Sequence, residues 1–130
     1  MKVKISYSGY DDHDYRYVSE THTIILPEKY VRSHGLSHRC FFTRYSLYYI
    51  LHEIGHAHYV HHYTWDMPHS LILKGEIEAW EYAYSCLKSP YKEECMEVSK
   101  QHIATYEILV GKQNFLESME EEANHWLKTQ

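Results

Sequence analysis

The chain has 130 residues and a formal charge of −5, which suits one compact, mildly acidic domain. This charge offers no basic surface to nucleic acid or to anionic lipid, so neither class of partner is expected. The three cysteines lack CxxC spacing and are typical of reduced thiols, and the sequence contains neither a signal peptide nor the roughly 20 apolar residues that span a bilayer. We therefore expect a cytoplasmic protein.

The N-terminal part predicts strands. Residues 2–8, "KVKISYS", alternate between apolar and polar side chains, and residues 21–27, "THTIILP", are β-branched and end in proline. A third short strand is expected over residues 15–19, between these two. Residues 33–38, "SHGLSH", have the composition of a loop.

The remainder has helical periodicity. Helices are predicted from about Phe42 to Tyr63, over 73–88, over 91–110 with an end at Gly111, and over 114–128. The expected fold is α+β, with a small N-terminal antiparallel or mixed sheet followed by a helical C-terminal half. All of residues 1–130 are expected to form a single domain.

The segment "LHEIGHAHYVHH" (51–62) contains the pattern HExxH, formed by His52, Glu53 and His56. On a helix this spacing presents two imidazoles to one zinc ion and places the glutamate beside the metal-bound water. At about 100° per residue, the apolar side chains of the helix lie opposite the histidines: Leu47, Ile50, Ile54 and Ala57. The apolar side can therefore dock on a core while both imidazoles point into a cleft, together with the tyrosines that share their face: Tyr45, Tyr48, Tyr59 and Tyr63.

Glycine inside this helix costs about 1 kcal/mol relative to alanine. Gly55 therefore predicts a close neighbour, such as a crossing backbone. The dispersed histidines are interpreted as surface or hydrogen-bonded residues: His13, His22, His34, His38, His102 and His125. Residues 121–126, "EEANHW", are interpreted as part of an amphipathic terminal helix.

A catalytic zinc site needs a third protein ligand. His62 has the spacing of a third histidine, but Tyr59 replaces the glycine that would turn the chain, so on a continuing helix His62 points away from the metal. The other candidates are acids on the next helix, which can return antiparallel to the first: Glu76, Glu78 and Glu81.

"HEIGHA" (52–57) followed by "EAWEYA" (78–83) resembles the gluzincin metallopeptidases, in particular the small minigluzincin and ImmA/IrrE-like proteins. The resemblance covers about residues 47–88. It implies a minimal zincin-like fold and one zinc ion per chain, held by His52, His56 and Glu78, with Glu76 as the fallback ligand. It also implies that the strand "THTIIL" is an edge strand above the active-site helix, where an extended substrate is added.

In such a site Glu53 is the general base for hydrolysis of a peptide bond in a protein or peptide substrate. The oxyanion donor stays open among four residues: Tyr59, Tyr63, His58 and His69. The alternative function is a non-catalytic, zinc-stabilised binding or regulatory protein with the same fold. This alternative predicts a buried Glu53 or a closed fourth coordination position.

Overall fold

The computed structural model describes residues 2–9, 15–27 and 44–130. These ranges form an α+β fold in which a small sheet precedes three helices, as the sequence predicts. The predicted loop at 33–38, Cys40 and the predicted helix start at Phe42 lie outside the described residues. The elements in chain order are β1 (Lys4–Gly9), β2 (Arg16–Val18), β3 (Thr23–Pro27), α1 (Arg44–Tyr59), α2 (His69–Ser85) and α3 (Tyr91–Thr129).

The sheet is mixed and has the strand order β1-β3-β2. β1 runs parallel to β3, with Lys4 opposite Thr23, and β2 runs antiparallel to β3, with Arg16 opposite Ile25. The prediction that residues 21–27 form an edge strand is wrong, because β3 lies between the other two strands. The short strand β2 takes the edge position, beside a cavity that Glu53 and His56 also line.

The first hydrophobic core lies between the sheet and α1. Ile24 and Leu26 of β3 are 1% and 4% exposed. Three apolar side chains of α1 pack against them: Ile50, Ile54 and Ala57. Full burial of such a side chain contributes roughly 1.5–3 kcal/mol, so this contact fixes which side of α1 faces the sheet. It confirms the predicted apolar side opposite the histidines, although Leu47, at the start of the helix, is exposed.

A second core fills the space among the three helices. Its buried members come from all three of them: Tyr48, Trp80, Ala83 and Cys95. The Tyr48 hydroxyl donates a hydrogen bond of 2.8 Å to Glu94 on α3. The side of α1 that carries the histidines is therefore covered by α2 and α3, and Tyr48 is a core residue rather than part of a cleft.

α1 and α2 are in close backbone contact at Gly55. A Cβ atom at this position would lie 2.5 Å from the carbonyl oxygen of Ala79 and 2.9 Å from its Cα. Both distances are too short for a side chain, so the backbone of α2 occupies the space that any other residue would fill. The predicted close neighbour of Gly55 is confirmed, and it is the backbone of α2.

α3 is one helix of 39 residues that continues through Gly111. The prediction of two separate helices with an end at this glycine is wrong. An isolated glycine costs a helix only about 1 kcal/mol, and good helix-forming residues on both sides outweigh that cost. No described atom lies within 4 Å of the Cβ position of Gly111, so this glycine makes no close approach of the kind seen at Gly55.

We expect Gly55→Ala to destabilise the protein by about 2–4 kcal/mol, because the added methyl must push α2 away from α1. Gly111→Ala is the matched control. It adds the same methyl to an exposed helix position and should stabilise the protein by about 0.5–1 kcal/mol. Urea unfolding followed by circular dichroism measures both changes. Equal effects of the two substitutions would contradict the tight α1–α2 contact.

Candidate metal centre

The two HExxH histidines point their Nε2 atoms at the same carboxylate. Oε2 of Glu76 lies 2.7 Å from Nε2 of His52, and Oε1 of Glu76 lies 3.3 Å from Nε2 of His56. All three side chains are buried, at 3–5% exposure. Two imidazole nitrogens and one carboxylate, from two adjacent helices, therefore converge in the protein interior.

The acid that meets the histidines is Glu76, and not Glu78 as the resemblance implies. Glu78 is rotated by about 200° from Glu76 around the axis of α2, so the two side chains cannot both face α1. Its carboxylate is 3.5 Å from Nε2 of His61, and its side chain is 36% exposed. Glu81, the third acid considered, is exposed. The geometry of the described residues therefore assigns the position beside His52 and His56 to the fallback residue.

The sequence contains a signal for Glu76. The buried side of α2 follows the spacing i, i+3, i+4, i+7: Glu76, Ala79, Trp80 and Ala83. Glu78 falls outside this stripe. An acid that stands on the apolar stripe of a helix is the one carried into the interior, and this criterion selects Glu76 without a structure.

α1 ends in a Schellman turn at Val60. The amide of Val60 donates to the carbonyl of Ala57 at 3.1 Å, and the amide of His61 donates to the carbonyl of His56 at 2.9 Å. Val60 has a φ of 53°, which is unusual for a β-branched residue. The prediction that the helix runs on to Tyr63 is therefore wrong, because the chain turns sharply without a glycine.

This turn brings His61 back to the site. Nδ1 of His61 lies 2.9 Å from Nδ1 of His56, and burial together with the neighbouring His56 lowers the pKa of His61. Nδ1 of His52 lies 3.5 Å from Oε1 of Glu53. Each HExxH histidine thus presents Nε2 to Glu76 and has its Nδ1 beside a second group, the arrangement that orients histidine ligands in metal sites.

His62 points elsewhere. Its Nδ1 lies 2.5 Å from the hydroxyl of Ser19 and 3.8 Å from the carboxylate of Glu20. It therefore contacts the turn after β2 rather than the HExxH histidines.

His102 on α3 is a member of the cluster that sequence reasoning missed. Trp80 donates its indole N–H to Nδ1 of His102 at 2.8 Å, so the proton of the neutral ring resides on Nε2. His52 stacks on Trp80, with 4.2 Å between ring centroids, and His102 meets His52 edge-on. Burial lowers the pKa of His102, and the charge of His52 adds to this effect. No local pattern identifies this residue, because the contact joins different helices.

Ligand atoms of the cluster form two overlapping groups of three, each within 4.8 Å of one another. One group comprises His52, Glu53 and His56, and the other comprises His52, Glu76 and His102. His56 and Glu76 do not fall in one group, and they are joined by the 3.3 Å contact described above. Burial disfavours the charged form of His52, but its contacts with Glu53 and Glu76 outweigh this and raise its pKa to about 9. Burial likewise opposes ionisation of Glu76, yet the two histidines hold its pKa well below the usual range.

Glu53 is 7% exposed, yet its side chain lines two cavities. The first, of about 260 Å³, is bounded by the site and by the edge strand β2, with Arg16, His56, Tyr63 and Glu76 among its lining residues. The second, of about 410 Å³, is lined on the other side of the motif by aromatic and histidine side chains. A small molecule or a peptide group in the first cavity would therefore contact the glutamate and one HExxH histidine.

Of the four predicted oxyanion donors, Tyr63 is the one that lines the first cavity. Tyr59 is half-exposed and stacks on His61, and His58 is exposed and stacks on Tyr82. The fourth candidate, His69, bonds through its backbone amide to Gln113 on α3. Burial and the carboxylate of Glu76 raise the pKa of Tyr63 above its ordinary value, so its hydroxyl remains protonated near neutral pH.

Tyr106 is a second tyrosine near the site that sequence reasoning missed. Burial and the neighbouring carboxylate of Glu76 raise its pKa to about 12. It comes from α3, one turn after His102, and its ring contacts that of His102 at 5.5 Å between centroids. α3 therefore contributes two side chains to a site that the sequence predicts from α1 and α2 alone.

No protein family model matches this chain, and no curated protein or solved structure is measurably similar to it. Among the helices of the described residues, none combines the length and the apolar character needed to cross a membrane.

We expect the metal-free protein to lose stability as pH rises. The pKa of His52 is 6.5 in a model peptide and about 9 in the fold, because the carboxylates of Glu53 and Glu76 favour the imidazolium. The stabilisation is therefore complete below pH 6.5 and is lost as pH rises through 9. The rings of His56 and His102 also face that of His52, with 4.5 Å and 5.2 Å between ring centroids. A positive charge on either ring would disfavour the imidazolium of His52.

Chemical unfolding in the presence of a chelator, at a series of pH values from 6.5 to about 9, measures this loss of stability. His52→Gln is the reference, because it retains a polar side chain and removes the titration. The free energy of unfolding of the wild type should fall relative to that of the variant. A constant difference between the two proteins over this interval would contradict the His52–Glu76 ion pair.

Proposed function

We propose that this protein is a zinc-dependent metallopeptidase that uses His52, His56 and Glu76 as metal ligands and Glu53 as general base. The observation that carries the proposal is the convergence of both HExxH Nε2 atoms on one carboxylate of the neighbouring helix. Two imidazoles and one carboxylate are a common ligand set of catalytic zinc. The metal assignment therefore rests on the type and direction of the donor atoms.

His52, His56 and Glu76 would hold the zinc ion, which when bound would lower the pKa of water to about 7 and polarise a substrate carbonyl. Glu53 lines the same cavity as His56 and Glu76. Its carboxylate can accept the proton of the attacking water and transfer it to the nitrogen of the leaving amine. His61 and Glu78 orient His56 through the ring nitrogen that does not face Glu76. Nδ1 of His61 contacts Nδ1 of His56, and the carboxylate of Glu78 lies beside Nε2 of His61.

Tyr63 is the residue best placed to stabilise the oxyanion. It lines the cavity together with Glu53, and its raised pKa keeps its hydroxyl protonated. This hydroxyl donates to the carbonyl of Ile72 at 3.5 Å, so it would have to exchange that partner for the oxyanion. A donor of this kind, when positioned at the developing charge, contributes about 10²–10³-fold to the rate.

The substrate is expected to be an extended peptide that lies along β2. This strand pairs with β3 on one side, and the described residues provide no strand on its other side. The cavity begins at this edge, with Arg16 and Tyr17 on its wall. An extended segment could therefore add to the sheet by backbone hydrogen bonds and place one peptide group beside Glu53.

A non-catalytic, zinc-stabilised binding protein is the second candidate function. The low exposure of Glu53 favours it, as does His102, which lies within ligand distance of His52 and Glu76. In this alternative a fourth protein group closes the position that a catalytic site leaves to water. The hydrogen bond from Trp80 argues against this role, because it leaves the proton on the other nitrogen of the His102 ring.

Zinc content per chain tests the ligand assignment. We expect one zinc ion in untagged wild type dialysed against a weak chelator, and a large loss in His56→Ala and in Glu76→Ala. Glu78→Ala is the matched control, because it removes a carboxylate from the same helix without removing a ligand. It should retain zinc with an affinity lowered by about tenfold, through His61.

Circular dichroism must show the wild-type helix content in each variant. Zinc retained in Glu76→Ala and lost in Glu78→Ala would restore the assignment implied by the resemblance and overturn the one proposed here.

Glu53→Gln tests catalysis separately from binding. We expect this variant to keep its zinc and to hydrolyse a peptide library at a rate lower by about 10²–10⁴-fold, because the amide cannot accept a proton. Glu81→Gln, the same change at an exposed position of α2, should leave the rate unchanged. Zinc-loaded wild type that cleaves no peptide, as judged by mass spectrometry, would contradict the peptidase and favour the binding protein.

A further inference from the structure

The second half of α3 carries an apolar stripe that the rest of the described chain does not cover. At about 100° per residue, its large apolar side chains fall within roughly 120° of arc. Most are more than half exposed, and they extend along the helix over about five turns: Ile108, Phe115, Leu116, Met119, Trp126 and Leu127. We call these residues the α3 stripe.

The stripe is a separate surface from the one that packs on the domain. Cys95 and Ser99 are the buried residues of α3, and Gln113, which bonds the backbone amide of His69 on α2, lies on the same side of the helix as they do. The centre of the stripe is rotated by about 100° from that side. The described residues therefore leave it uncovered, and contiguous exposed apolar surface of this kind marks interaction sites.

Charges within the stripe indicate which partner fits. Lys112 lies near its N-terminal end, and Glu122 lies at its edge nearer the C-terminus. In a parallel pair of these helices each residue would face its own counterpart, so that like charges would meet. In an antiparallel pair with a two-fold axis near residue 118, Lys112 of each copy lies between Glu122 and Trp126 of the other.

The shape of the surface agrees with this register. A shallow depression of about 470 Å³ lies over Ile108, Gly111, Lys112, Phe115 and Leu116. The same antiparallel register places Trp126 of the other copy over this depression. Its indole ring then covers apolar surface and lies beside the Lys112 ammonium, an arrangement favourable for a cation and an aromatic ring.

We propose that the α3 stripe is a self-association surface on which two copies of this chain pair antiparallel through residues 108–127. The interface is isologous, so one patch serves both copies and the contact closes at a dimer. No residue of α3 is among the described residues that line the cavity bounded by Glu53 and β2, and the self-association surface does not depend on the proposed peptidase activity.

Sedimentation equilibrium of the full chain, from about 1 to about 200 µM, covers the affinity expected of an interface of this modest size. We expect a reversible monomer–dimer equilibrium. Met119→Glu places a charge near the two-fold axis in both copies and should raise the dissociation constant by at least about 100-fold. Asn124→Glu adds the same charge on the opposite side of the helix and should have little effect.

A charge exchange tests the register. Lys112→Glu and Glu122→Lys should each weaken the dimer by about tenfold, and the double variant should restore it to within about threefold of wild type. A chain that remains monomeric at every concentration would overturn the proposal, as would a dimer insensitive to Met119→Glu. Failure of the double variant to restore association would overturn the antiparallel register.

Discussion

The contact between Gly55 and the backbone of Ala79 determines how the site is built. α1 is already oriented by the sheet, because its apolar side packs on Ile24 and Leu26. The direct backbone approach then fixes the distance and rotation of α2 relative to α1. Glu76 lies one turn before Ala79 on the same side of α2, so the rotation that accommodates the glycine also carries this carboxylate between His52 and His56.

Burying a cluster of ionisable side chains between two helices costs free energy that an apolar interface would not. A buried carboxylate requires charged or hydrogen-bonding partners, and even a well-paired buried ion pair often stabilises a protein no more than apolar side chains of the same volume would. Position 76 stands on a stripe with Ala79, Trp80 and Ala83, where an apolar residue would satisfy packing. A glutamate at such a position breaks the local rule, and departures of this kind are expected where a site has a function beyond stability.

Local patterns predict those parts of the molecule that are determined by local interactions. The alternation of residues 2–8, the β-branched composition of residues 21–27, the helical periodicity after residue 44 and the apolar side of α1 all follow from side chains within one element. The central place of β3, the return of His61 and the arrival of His102 depend on how elements meet, which no periodicity encodes. Glu76 is intermediate: spacing on α2 identifies it, but the resemblance to a known motif directs attention to Glu78, two residues away.

The turn at Val60 extends the same argument to the end of α1. A β-branched residue with φ of 53° is strained by about 1–3 kcal/mol, and glycine would adopt this conformation freely. Such a conformation persists only where surrounding contacts enforce it. Here the amide of His61 bonds the carbonyl of His56, the two imidazoles meet at 2.9 Å, and Tyr59 stacks on the His61 ring. The strain is thus offset by the contacts that hold His56 from behind, so the end of the helix and the orientation of its histidine are determined together.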